Sequence, residues 1–206
     1  YLAAAGVGTI VLCDGDTVDL TNLQRQILHH TTSVGRLKVE SGRDSLHLIN
    51  PEVEVVCLAD RLAGDALDEQ VAAATVVLDC SDNFATRHAI NRACVTYRKP
   101  LVSGAAIRFD GQISVFDQRN PGSPCYHCLF PVGEDVEEVR CAVMGVFAPL
   151  TGIIGTMQAA EALKLVAGIG RSLDGRLLLF DALAADWRAI QLGKDPACTV
   201  CGHPAA

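Results

Sequence analysis

Two Cys-x-x-Cys pairs, Cys125-Tyr-His-Cys128 and Cys198-Thr-Val-Cys201, limit how this chain can fold more than any other feature. A short turn with a cysteine at each end presents two sulfurs to one point. Two such turns complete a tetrahedral thiolate set suited to zinc. Cys125 and Cys198 stand 73 positions apart, so a shared ion would fasten the C-terminal tail to a mid-chain loop. That is a structural role, with all four coordination positions filled by protein. Two unrelated turns with free thiols are the plain alternative. A thioredoxin-like pair would open a helix after a strand, and neither pair reads that way. His127 and His203 are near enough to substitute as ligands, but read as bystanders.

Nine cysteines is an odd number in a chain too long to be a small disulfide scaffold, so the thiols point to a reducing compartment and a cytoplasmic protein. The 206 residues fit one domain over 1–206, and 50% hydrophobic with 20% charged residues is a globular composition. A net charge of −7 argues against a nucleic-acid partner. No run suits a membrane span, because Gln158, Glu161 and Lys164 interrupt the most apolar stretch, Ala148 to Ala167. That stretch predicts a buried helix.

The periodicity predicts strands at Thr9 to Cys13, Val53 to Leu58, Thr75 to Asp79, Leu101 to Ala106, Gln112 to Phe116, Arg176 to Phe180 and Trp187 to Gln191. Helices are expected at Ser33 to Leu48, Asp65 to Ala74, Phe84 to Tyr97 and Pro149 to Ala167. Leu2 to Gly8 reads as the last turn of a helix closed by glycine. Val34, Leu37, Ser41 and Leu48 are expected on one face of the first full helix. Alternation of strand and helix through residue 106 gives an α/β, Rossmann-like, mainly parallel sheet with flanking helices. Zinc would tie the C-terminal strands.

Two further constellations carry polar chemistry. In the first, Asp14-Gly-Asp16 ends a strand, Thr21-Asn22-Leu-Gln-Arg25-Gln26 follows, and Lys38 lies on the next helix. A carboxylate at the carboxyl edge of a parallel sheet suits a nucleotide ribose, and Arg25 and Lys38 suit phosphate oxygens. Taken singly, these are also ordinary turn and surface residues. In the second, Asp79-Cys80-Ser81-Asp82-Asn83 ends another strand. Asp82 could hold Mg²⁺ and Asn83 could orient substrate; equally, Ser81, Asp82 or Asn83 could cap the following helix.

In order, Asp14-Gly-Asp16-Thr-Val, Thr21-Asn-Leu-Gln-Arg25-Gln, Gly35-Arg-Leu-Lys38-Val-Glu and Asp79-Cys-Ser-Asp82-Asn83 resemble the ThiF/MoeB/HesA family of adenylyltransferases. Pro100-Leu-Val-Ser-Gly104-Ala-Ala, Gly111-Gln, Ala148-Pro-Leu-Thr-Gly152 and the two cysteine pairs extend the resemblance over nearly the whole chain. It implies ATP-dependent adenylylation of the C-terminal Gly-Gly carboxylate of a ubiquitin-like sulfur-carrier protein of the MoaD/ThiS kind, and a homodimer. It implies Asp14 as the ribose-binding acid, Asn22, Arg25 and Lys38 as phosphate contacts with Gln26 in the same cofactor-binding loop, and Asp82, beside Asn83, as the magnesium and catalytic acid. Arg25, Lys38 and Asp82 are expected to converge on one triphosphate. The four paired cysteines would be the family's structural zinc site. Cys141, four residues before Gly145, stands where some members keep a cysteine used in sulfur transfer or thioester chemistry; a small buried thiol is the other reading. Cys13, Cys57, Cys80 and Cys94 are expected in the core.

The resemblance also implies a first strand and a glycine-rich phosphate loop ahead of Leu2, and an arginine from an earlier helix. With none of these in the sequence, the chain is read as N-terminally truncated and is expected to bind ATP poorly as it stands. No sulfurtransferase domain follows Ala206 in it. Two other function classes remain open: a non-catalytic module that binds a ubiquitin-like protein, and an NAD-dependent dehydrogenase suggested only by the doubly wound pattern and Asp14.

Overall fold

The computed structural model describes residues 1–132 and 145–202. They form two compact units, 1–63 and 64–206.

In the first unit, β1 (Thr9–Cys13) pairs in parallel with β2 (Glu54–Leu58), from Thr9 opposite Glu54 to Cys13 opposite Leu58. A parallel pair needs a crossover, and α1 (Lys38–Ile49) supplies it. Buried Ala3, Leu46 and Val53 pack with Ile10, Leu12, Leu28 and Val55. The helix comes close to the sheet at Gly42, where a Cβ would sit 3.1 Å from both Leu12 and Leu28. Leu2 to Gly8 closes as expected of a helix end. Val7 N–H donates to Leu2 C=O and Gly6 N–H to Ala3 C=O, with Gly6 at a φ of 82°, which is a Schellman arrangement.

The helix expected from Ser33 starts instead at Lys38. Gly35 takes a φ of 86°, and Val34 and Leu37 are extended. Val18 N–H donates to Arg36 C=O and Gly35 N–H to Val18 C=O, so residues 34–37 form a strap against the loop after β1. The buried face of α1 is accordingly Val39, Ser41, Gly42 and Leu46, while Val34 and Leu48 are exposed.

In the second unit the strand order is β3 (Val77–Asp79), β4 (Pro100–Ile107), β5 (Asp110–Asp117), β6 (Arg176–Asp181), β7 (Asp186–Gln191). Among the described residues, β3–β4 is parallel and β4–β5, β5–β6 and β6–β7 are antiparallel. Across the described residues the α/β, Rossmann-like reading holds. Parallel pairing belongs to the strands before residue 107, and the later strands add an antiparallel meander. Helix α2 (Gly64–Ala73) packs on α3 (Phe84–Thr96), and α4 (Tyr126–Leu129) on α3. The long helix α5 (Ala148–Ala167) lies on β4 and β5. It buries Leu150, Ile154, Gln158, Glu161 and Ala162, a spacing of three to four that keeps them on one face. Among the described residues, no helix is long and apolar enough to cross a membrane.

The polar residues that interrupt α5 are structural. Gln158 Nε2 donates to the carbonyls of Asp79 (2.8 Å) and Val102 (3.3 Å), tying the helix to two strands. Its amide lies over Gly104, where a Cβ would come within 2.4 Å of Gln158 Cδ. Glu161, 3% exposed, accepts the Leu173 N–H (2.9 Å), and Lys164 lies 2.5 Å from its other oxygen while donating to Arg171 C=O. The turn between α5 and β6 is thereby pinned.

Candidate nucleotide site and metal centre

In the first unit, Asp14 sits just past β1, and its Oδ1 accepts the Asp16 N–H at 2.8 Å. The Asp16 carbonyl accepts the Lys38 N–H at 3.0 Å, which places Lys38 at the first position of α1. A cation there faces the unfavourable end of the helix dipole. Carboxylates offset it: Lys38 Nζ is 2.9 Å from Asp16 Oδ2 and 3.4 Å from Asp14 Oδ2. The Lys38 side chain is only 12% exposed. Arg61 Nη2 reaches the other Asp16 oxygen at 2.9 Å. Hydrogen bonds from Lys38, then Arg61, hold the Asp16 carboxyl below its usual range.

Between these residues in sequence, Asp19 caps a short 3-10 turn, Leu20–Asn22, by accepting the Thr21 N–H. The Asn22 carbonyl accepts from Arg25 N–H and Gln26 N–H, and Arg25 Nη1 lies 3.4 Å from Thr21 O. Gln26 Oε1 is buried with no hydrogen-bond partner among the described residues. Lys38 and Asp14 are thus brought together as expected. Asp82 and Asn83 belong to the other unit.

There, Asp82 is exposed at the end of β3. Of the three residues that could cap α3, Asn83 does so: its Oδ1 accepts the Thr86 N–H at 2.8 Å. Asp82 is left with a long contact, 3.4 Å, from Asn83 Nδ2. Asp79 is fully buried and its Oδ1 accepts from Ser81 N–H and Ser81 Oγ. Its Oδ2 is 3.4 Å from Arg87 Nη1, which also donates to Ser103 Oγ and Gly104 O, while Arg87 Nη2 bonds the Ser81 carbonyl. Arg87 therefore fixes the turn that leads to Asp82. A cavity of about 570 Å³ opens beside it, lined by Asp82, Asn83, Arg87, Tyr126, Phe130 and Arg188 among others. Sequence reasoning gave no role to Arg87, Arg61 or Gln158, and none to the Asp16 side chain. An arginine in the first turn after an acid-ended strand is a weak pointer to the first; nothing in the sequence marks the others.

The paired cysteines do meet. The four Sγ atoms of Cys125, Cys128, Cys198 and Cys201 lie within 4.8 Å of one another and could hold a metal ion. Cys125 Sγ is 3.9 Å from Cys128 Sγ and 3.8 Å from Cys198 Sγ; Cys128 and Cys201 are 3.4 Å apart. Burial pushes the Cys125 thiol up to about 11 and raises that of Cys201. Cys125 caps the single turn α4, but that turn follows the loop after β5 and does not spring from a strand, in keeping with the sequence reading. The partners from the second pair, not the helix, are what set this site apart from a redox dithiol. His127 Nε2 faces Thr199 Oγ1 at 3.3 Å, outside the sulfur cluster. Cys141 and His203 lie outside the described residues. Of the cysteines expected in the core, Cys94 is buried, whereas Cys13 and Cys80 are exposed at strand ends and Cys57 is intermediate. Strand ends at the sheet's carboxyl edge emerge from the core, which the apolar run preceding them does not reveal.

The sequence profile of the ThiF family matches residues 1–200. The chain belongs to the ThiF family. Among curated relatives of this ThiF-family chain, the molybdopterin-synthase adenylyltransferase of Escherichia coli (strain K12) is 46% identical over 204 residues, covering 98% of this chain and 81% of that protein. The sulfur carrier protein ThiS adenylyltransferase of the same strain is 45% identical over 202 residues, covering 98% and 79%. The adenylyltransferase and sulfurtransferase MOCS3 of Sus scrofa is 47% identical over 205 residues, and this chain spans 45% of it. Among solved structures, E. coli MccB with ATP superposes with a TM-score of 0.84 at 23% identity, a likeness of fold; it covers 98% of this chain, which spans 62% of that one.

Proposed function

We propose that the protein uses ATP to adenylylate the C-terminal Gly-Gly carboxylate of a ubiquitin-like sulfur-carrier protein, in the manner of molybdopterin or thiamine biosynthesis. The observation that carries this reading is similarity over 98% of the chain, at 45–46% identity, to a molybdopterin-synthase adenylyltransferase and a sulfur carrier protein ThiS adenylyltransferase. The Lys38 clamp agrees with it. No observation favours a non-catalytic module or a dehydrogenase.

The carrier's carboxylate is already ionised near neutral pH, so no general base is needed. Its oxygen forms a bond to the α-phosphorus, the bond to the bridging oxygen breaks, and pyrophosphate leaves with the electron pair. The chain's task is to supply positive charge and alignment. An ammonium has three donors; carboxylates engage two at Lys38, and the third suits a phosphate oxygen. Arg25 offers a guanidinium fork to phosphate, within a loop where Asn22 and the buried Gln26 acceptor complete the polar lining. Asp14, at the carboxyl end of β1, would take the ribose hydroxyls. Asp82, exposed and lightly bonded, has the hard oxygen donors that magnesium prefers, with Asn83 holding the backbone beside it. The chemistry magnesium supplies when bound is neutralisation of phosphate charge. Cys141 is kept as a candidate for later sulfur chemistry.

The metal at the cysteines is proposed to be zinc. Tetrahedral Zn–S bonds of about 2.3 Å put sulfurs about 3.8 Å apart; three of the sulfur pairs are 3.4–3.9 Å apart and all four atoms lie within 4.8 Å of one another, a spacing that one ion would draw together. Burial raises the pKa of the Cys125 and Cys201 thiols, whereas at Cys198 burial is outweighed by the backbone N–H groups of Cys201 and Val200, which lower it, and a cation would let thiolates this close coexist. The resemblance further implies a homodimer, which light scattering of the purified protein tests. For the reaction itself the test is ATP–pyrophosphate exchange that depends on a carrier ending in Gly-Gly, measured on the full-length protein. Exchange is expected; its absence with every carrier tried overturns the assignment.

A further inference from the structure

The charge cluster of the first unit contains a carboxylate that the proposed reaction has not yet used. Asp16 holds Lys38 twice. Its carbonyl accepts the Lys38 N–H at 3.0 Å, and its Oδ2 takes the ammonium at 2.9 Å, closer than the 3.4 Å to Asp14. The loop that carries Asp16 is itself sewn to residues 34–37 by the Val18–Arg36 and Gly35–Val18 hydrogen bonds and the Thr17–Leu37 bridge. The position of Asp16 relative to α1 is therefore set by backbone, and the lysine stem follows it.

Its second oxygen faces Arg61 Nη2 at 2.9 Å. This matters for phosphate chemistry. An aspartate paired with Lys38 alone would cancel the charge that a phosphate needs. Two carboxylates, Asp14 and Asp16, are met here within ion-pair distance by two cations, Lys38 and Arg61, so Asp16 does not draw on Lys38 alone. When Asp14 turns to a ribose, Lys38 still has Asp16 to hold it.

We infer that Asp16 is a positioning residue for nucleotide binding: it sets the Lys38 ammonium toward phosphate while Arg61 balances its own charge. This rests on the adenylyltransferase reading for its choice of ligand. The cluster takes a nucleoside triphosphate, and Asp16 acts on it through Lys38 without touching it.

Calorimetric titration of ATP with Mg²⁺ into the full-length protein tests this without requiring turnover. Asp16→Asn keeps the size and the backbone contacts and removes the charge. It is expected to raise the Kd for ATP about tenfold, the loss of one charge-assisted hydrogen bond at a half-exposed site. Asp16→Glu should recover part of that, and Arg61→Gln should shift Kd by less, about twofold to threefold. The deciding arm is the pair: in a Lys38→Ala background, Asp16→Asn should change Kd no further. Equal Kd for Asp16→Asn and wild type, or effects that simply add, would overturn the inference, as would ATP binding that is undetectable in the wild type. Wild-type protein that binds ATP but shows no carrier-dependent exchange would overturn the proposed reaction and leave this inference decided by the Kd values.

Discussion

The cysteine cluster and the Asp14–Asp16–Lys38–Arg61 cluster are both small polar constellations, yet they are held by different means. Three of the four cysteines are buried and Cys128 is partly so, and the two pairs come from segments 73 residues apart, so their meeting depends on the complete second unit. The charged cluster is half-exposed and its geometry is set by one strap of backbone between residues 16 and 38. Burial makes the first a matter of stability. Exposure makes the second a matter of binding, because exposed ion pairs contribute little to folding. Mutation should separate the two.

The largest effect is expected from Cys198→Ala. It should lower metal content from about one ion per chain to near zero and reduce stability by several kcal/mol, since structural zinc contributes folding free energy directly. Elemental analysis and thermal melting read this. Unchanged metal content would break the contrast at its stronger end. Next, Lys38→Ala should lower the melting temperature by only a few degrees, less than Cys198→Ala, because the lysine stem is buried but its carboxylate partners are half-exposed. Carrier-dependent ATP–pyrophosphate exchange should nevertheless fall about 100-fold, the scale of removing one positioned charge from a developing oxyanion. A large loss of stability instead would show that the charged cluster is as structural as the sulfurs.

Gly104→Ala sharpens the comparison from the packing side. A Cβ there comes 2.4–2.9 Å from the Gln158 amide, which is itself bonded to two strands. Overpacking of this kind costs roughly 1–3 kcal/mol, readable by urea denaturation. The smallest effect concerns pH. Lys38 and Arg61 hold the Asp16 carboxyl below its usual pKa of about 3.9. Its stabilising contribution is therefore present above that value and lost as pH falls through the lowered one. The difference in melting temperature between wild type and Asp16→Asn should stay constant from about pH 5 to 8 and shrink below about pH 4. A difference that grows on acidification contradicts the sign.

What the sequence revealed follows from the range over which each signal acts. Strands such as Thr9–Cys13 and helices such as Ala148–Ala167 were legible, because local apolar runs and periodicity specify them. The cysteine pairs were legible because metal geometry imposes a recognisable spacing. The start of α1 was not: Gly35 in a left-handed conformation and the strap to Val18 outweigh helical periodicity that looked continuous from Ser33. Nor were Arg87, Gln158 and Arg61, whose partners at Ser103, Asp79 and Asp16 lie 16, 79 and 45 residues away. Asn83 showed both readings at once, and the structure resolved the capping one.

The separation of the two cysteine pairs also has a consequence in time. Synthesis runs at roughly 5–20 residues per second, so the 73 residues between Cys125 and Cys198 take on the order of 4–15 seconds to appear. For that interval the first pair is a bare dithiol on a nascent chain, open to oxidants and to softer ions such as copper(I).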